Sequence, residues 1–129
     1  MKLLSIAPLL LLFAGNLYGY DDAYRKKEVA EANKSEGYPT KMPNGVLIQG
    51  YVYNADLDAM VLVCVGQLGK SATAKKMRDH WNGQVGQALR KKGFRDFAIS
   101  VITQMNGDGF IFSPRFNKWM SIDDYLKLK

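Results

Sequence analysis

Seven consecutive apolar residues, Ala59 to Val65, constrain this chain more than any other feature. They are followed by a Gly-rich turn (Gly66 to Lys70), a long basic segment and a second apolar run ending near Gln104. A strand that is apolar at every position has two faces to cover, which is the pattern of a central strand rather than an exposed one. The basic segment has a different period. Ala74, Met77, Trp81, Val85, Ala88 and Leu89 fall three and four residues apart and form one stripe of a helix over 71–92. Ser71 is the expected N-cap and Gly93 the expected residue just past the last turn. Gly83 and Gly86 lie inside this helix and cost up to about 1 kcal/mol each relative to alanine. Close approach by another backbone or by a partner would account for them; simple tolerance is the competing explanation.

The flanks complete a small sheet. Val46 to Tyr53 alternates, with Val46, Ile48 and Val52 on one side and Gln49, Tyr51 and Tyr53 on the other, and the turn-like Asn54 to Asp58 makes it a hairpin with the apolar run. Phe94 to Gln104 reads as another long strand, and Asn106-Gly107-Asp108-Gly109 is a strong turn signal leading into a return strand, Phe110 to Ser113. Ser121 and Asp124 make a start signal for a short C-terminal helix. Tyr20 to Ser35 has only a thin apolar stripe (Ala23, Tyr24, Ala30) and is expected as a loosely docked helix or arm, with a connector up to residue 44. The expected fold is therefore α+β, a four-stranded sheet with one long basic amphipathic helix on a face, in the order (α)-β-β-α-β-β-(α). If the two central strands are parallel, the crossover between them is right-handed.

Residues 1–19 stand apart from this domain. Lys2 is the only charge before Asp21, Leu3 to Ala14 is apolar, and small residues follow, with Gly19 the best cleavage position. The expectation is a removed export signal, an uncleaved anchor being the competing reading, with no membrane span once the signal is gone. The remaining residues, 20–129, make one small domain, which must fold without an internal disulfide because Cys64 is the only cysteine. Export without disulfides points to a periplasmic or secreted protein of a bacterial envelope.

Several chemistries fail on spacing. Gly69-Lys70-Ser71 lies between a strand and a helix as a phosphate-binding loop does, but such a loop needs a glycine where Cys64 stands. His80 is the only histidine, so every site that needs two is excluded, and Asp79, one residue away, points about 100° from it on a helix. Cys64 lies mid-strand, where a thiol is buried rather than reactive. Asp56 with Asp58, and Asn106 with Asp108, lack the downstream acid that completes a calcium loop. No catalytic, metal or cofactor site is expected.

Charge and aromatic content leave two binding candidates. The formal net charge is +6, and between residues 70 and 95 the basic residues Lys70, Lys75, Lys76, Arg78, Arg90, Lys91, Lys92 and Arg95 face only Asp79. The first seven of these are a candidate surface for a polyanion such as DNA, lipopolysaccharide or an acidic glycan, although most charge runs are solvated helix faces. Phe112, Phe116 and Trp119 are a candidate surface for a protein partner, or else they close over the sheet. The expected function is a non-catalytic binding protein, an accessory, adaptor or inhibitor-type component of the envelope with a protein partner. The alternative is polyanion binding through 71–92.

Overall fold

The computed structural model describes residues 22–103 and 109–128. The export signal expected over 1–19 and the Asn106 to Asp108 turn lie outside the described residues. The element order is α1 (Asp22–Glu36), β1 (Thr40–Lys41), β2 (Leu47–Asn54), β3 (Ala59–Val65), α2 (Lys70–Asn82), α3 (Gln84–Lys91), β4 (Asp96–Ile102), β5 (Gly109–Ser113), β6 (Lys118–Ser121) and α4 (Ile122–Leu126). All six strands form one sheet in sequence order, β1-β2-β3-β4-β5-β6. Neighbours are antiparallel except β3 and β4, which run parallel with Leu62 beside Ile99.

This corrects the expected four-stranded sheet with one long helix: among the described residues the sheet is six-stranded and mixed, and there are four helices. The two added strands are short edges. β1 pairs Thr40 and Lys41 with Ile48 and Leu47, and β6 pairs Lys118–Ser121 with Ser113 to Phe110. The long helix breaks because Gly83 adopts φ −104°, ψ −149°, ending α2 and starting α3. Gly86 allows the two pieces to meet, since a Cβ there would lie 1.7 Å from the Trp81 carbonyl oxygen. Arg90 holds the junction from the other side, donating to that oxygen at 2.9 Å with its guanidinium 4.7 Å from the Trp81 ring centre. α2 begins at Lys70 behind Gly69 with no side-chain cap, so Ser71 lies inside the helix. Gly93 closes α3 as expected: its N–H reaches Arg90 O and the Phe94 N–H reaches Leu89 O, the paired bonds of a Schellman ending.

Strand periodicity gives the sheet two apolar faces. Met60, Cys64, Phe97, Ile99, Val101 and Phe112 meet Ala74, Met77 and Leu89 of the helices, together with Val29 of α1. On the opposite face Leu57, Ala59, Val61, Ala98, Ile111 and Met120 pack with Tyr125 of α4. α4 starts where the sequence indicates, with Ser121 accepting a bond from the Asp124 N–H at 3.1 Å. Each large apolar side chain buried in this way contributes roughly 1.5–3 kcal/mol.

α1 docks through polar groups instead. Its buried residues are Arg25 and Val29, not the Ala23, Tyr24 and Ala30 stripe. The Arg25 guanidinium forks onto the Asp58 carboxylate through Nε and Nη2, and Nη2 also donates to Gly93 O at 3.0 Å. Tyr53 Oη donates to the same carboxylate at 2.8 Å, and Asp58 O accepts from the Arg95 N–H. One ion pair thus ties α1 to the β2–β3 turn and the α3–β4 turn. Further along α1, the Asn33 side chain accepts from the Tyr51 N–H at 2.6 Å and donates to Tyr51 O at 3.0 Å. No helix among the described residues is long and apolar enough to cross a membrane.

Candidate functional site: a cleft between the helices

α1 and the α2–α3 pair stand apart over the sheet, and the gap between them is a cleft. Its larger part is a cavity of about 570 Å³, within the roughly 300–1,000 Å³ usual for small-molecule sites. Tyr51, Leu62, Cys64, Phe97 and Ile99 of β2, β3 and β4 form its floor; Thr73, Lys76, Met77 and His80 of α2 form one wall. Glu36, Tyr38, Met42 and Asn44, from the end of α1 and the loops around β1, form the other. A smaller part of about 370 Å³ continues from it, sharing Glu36, Tyr51, Val85 and Phe97 and lined further by Glu28, Glu31 and Lys92. Lys92 Nζ closes on Glu28 Oε1 at 2.7 Å across this part.

The cleft has an apolar floor and a polar rim of opposite signs. Tyr51 and Tyr38 meet edge to face, ring centres 5.5 Å apart, with their hydroxyls near enough to influence each other. Burial, with the nearby Glu36 carboxylate, raises the pKa of both phenols. Both therefore stay protonated in neutral solution. Met42 and Val85, which also line the cavity, are 41% and 40% exposed.

Cys64 and His80 line the same cavity, yet this is not a nucleophilic pair. Burial pushes the Cys64 thiol up to about 11, whereas an activated thiol is driven down. Among the described residues no group of three or more His, Cys, Asp or Glu is placed to hold a metal ion.

The structure brings the two binding surfaces read from the sequence together, and largely against each other. Lys70 Nζ lies 3.8 Å from the Phe110 ring centre and 5.9 Å from that of Trp119, while Trp119 Nε1 donates to Lys70 O at 3.2 Å. The Arg78 guanidinium sits 5.7 Å from the Phe112 ring. Phe112 is 1% exposed, Trp119 is half-buried beside it, and Phe116 packs half-buried against the second core. Of the other cations, Lys75 pairs with Asp79 at 2.9 Å, Lys92 with Glu28, and Arg90 covers Trp81. Lys91 is exposed on α3, and Lys76 is exposed on the cleft wall. No linear signal marks the cleft in the sequence, because its lining comes from α1, the β1 region, three strands and both helices of the crossover.

A second polar cluster lies under the other face. Asp96 is fully buried and accepts bonds from Ser113 Oγ and from the Arg115 N–H at 3.1 Å. Tyr125 Oη, also buried, has no hydrogen-bond partner among the described residues. Desolvation outweighs the bonds from Ser113, Arg115 and Phe97 and holds the Asp96 carboxyl above the ordinary carboxylate range. A carboxyl raised in the fold binds more protons there than in the unfolded chain. Its contribution to stability is greatest below the unfolded value, about 3.9, and is lost as pH rises through the folded one. Asp96→Asn should therefore gain stability relative to the parent as pH is raised from about 4 to 7, measured as urea midpoints at each pH. A constant difference across that range would show that Asp96 titrates normally.

Compared with protein-family models, with curated proteins and with solved structures, the chain shows no match.

Proposed function

We propose that this is an exported, non-catalytic binding protein, an accessory, adaptor or inhibitor-type component of a bacterial envelope, and that it binds through the cleft between α1 and α2–α3. The observation that carries this reading is the cavity of about 570 Å³ with an apolar floor and two exposed apolar side chains in its lining. Concavity, apolar lining and a few convergent polar groups are what small-ligand sites share. Polyanion binding through 71–92 has less support. Most of the charges it requires are held by Asp79, Glu28 or aromatic rings, and the break at Gly83 divides the surface that would present them.

The test is uptake of an uncharged solvatochromic dye, N-phenyl-1-naphthylamine, by the full chain. Saturable, blue-shifted binding is expected. Ala72→Trp, which places an indole at an exposed position lining the cavity, should weaken it at least tenfold with Tm unchanged. No uptake, or uptake indifferent to Ala72→Trp, would remove the cleft as the binding site.

A further inference from the structure

At the cleft mouth two side chains of α2 make no hydrogen bond or ion pair among the described residues, one of them having only the charge of the adjacent Asp79 beside it. Lys76 and His80 are one turn apart on one face of the helix, both are exposed, and both line the cavity. The neighbouring acid, Asp79, is engaged by Lys75 and is not part of the lining. Lys92, which lines the smaller part of the cleft, is paired with Glu28. Lys76 is thus a fixed positive charge above an apolar floor, with an imidazole and the Thr73 hydroxyl on the same wall. The acid facing them from the opposite rim is Glu36, which lies beside the Tyr38–Tyr51 hydroxyl pair and would repel an anion towards the α2 side.

Resting on the reading of the cleft as the binding site, we propose that its ligand is a single-chain anionic amphiphile. The alkyl chain lies on Tyr51, Leu62, Phe97 and Ile99, and the head group lies between Lys76 and His80. Ammonium and imidazole donors at the mouth of an apolar cavity match this ligand's two parts: the chain is removed from water, and the head keeps charge-assisted hydrogen bonds. A carboxylate and a phosphate monoester share this chemistry.

Dodecanoate, dodecyl phosphate, dodecanol and dodecyltrimethylammonium, each below its micelle concentration, can be titrated calorimetrically into the full chain and into Lys76→Glu and Ala72→Trp. Both anions should bind at least tenfold more tightly than the alcohol and the cation. Lys76→Glu should erase that preference with Tm unchanged, and affinity should fall about fourfold for each methylene removed from the chain. A tighter phosphate would assign a phosphorylated lipid head, and a tighter carboxylate a free fatty acid; either supports the proposal. Equal binding of all four heads, lost in Ala72→Trp, would overturn the head-group assignment while leaving the cleft as a binding site. Binding of none of them, together with absent dye uptake, would overturn both.

Discussion

Replacing Arg25 by Ala is expected to cost about 3–5 kcal/mol of folding stability, the loss typical of a buried ion pair stripped of one partner. Arg25 is 6% exposed and holds the Asp58 carboxylate, Gly93 O and the Phe94 ring face at 5.9 Å. Its removal leaves a carboxylate only 19% exposed, with the Tyr53 hydroxyl as its remaining side-chain donor among the described residues. Two readouts make the test specific. Urea denaturation gives the magnitude, and the double change Arg25→Ala with Asp58→Asn should cost less than the two single changes added together, because the isolated charge is gone. A single-variant loss below about 1 kcal/mol would place this pair among solvated surface bridges.

Phe112→Ala should cost a comparable amount, about 3–5 kcal/mol, for a different reason. Phe112 lies opposite Ile99 in the β4–β5 ladder, with the Trp119 ring 5.5 Å away and Arg78 above it. Truncation opens a void on the helix face that neither a strand nor α2 can close without breaking its own hydrogen bonds. The same change separates two roles for the aromatic segment. A residue that contacts a partner loses affinity and keeps its fold, whereas one sealed at 1% exposure loses stability first. A urea midpoint unchanged by Phe112→Ala would show that the site collapses freely and that the seam under α2 is loose.

The strands of the middle of the chain were legible because their chemistry is local. β3 has no polar residue to place and β4 lies within an apolar run, so both read as interior strands; that they pair in parallel, which the sequence left conditional, comes from the register of the fold. What escaped was whatever depends on single contacts. β6 spans four residues, with one or two side chains per face, too few for a period to emerge before the left-handed Asn117 turn sets it antiparallel to β5. The helix break at Gly83 looks identical in sequence to a tolerated glycine, since the deciding contact, Gly86 on the Trp81 carbonyl, joins residues five apart on two separate helices. α1 is a helix, one of the two forms expected of this segment, but its attachment was not legible because Arg25 and Asn33, which help dock it, lie outside any apolar stripe. The basic helix and the aromatic segment were each visible as candidates. Their mutual contact was not, because nothing in a linear charge pattern says that Lys70 stands on Phe110.

The Asn33 carboxamide has a further consequence. Beyond Ile48, β2 has no strand on its outer side among the described residues, and an uncovered strand edge is a template for another chain. Asn33 occupies the N–H and C=O of Tyr51 as a neighbouring peptide would, so one side chain of α1 blocks intermolecular strand addition at the middle of that edge. The helix that shapes one wall of the cleft therefore also covers this border of the sheet, and the Arg25 ion pair helps hold that cover in place.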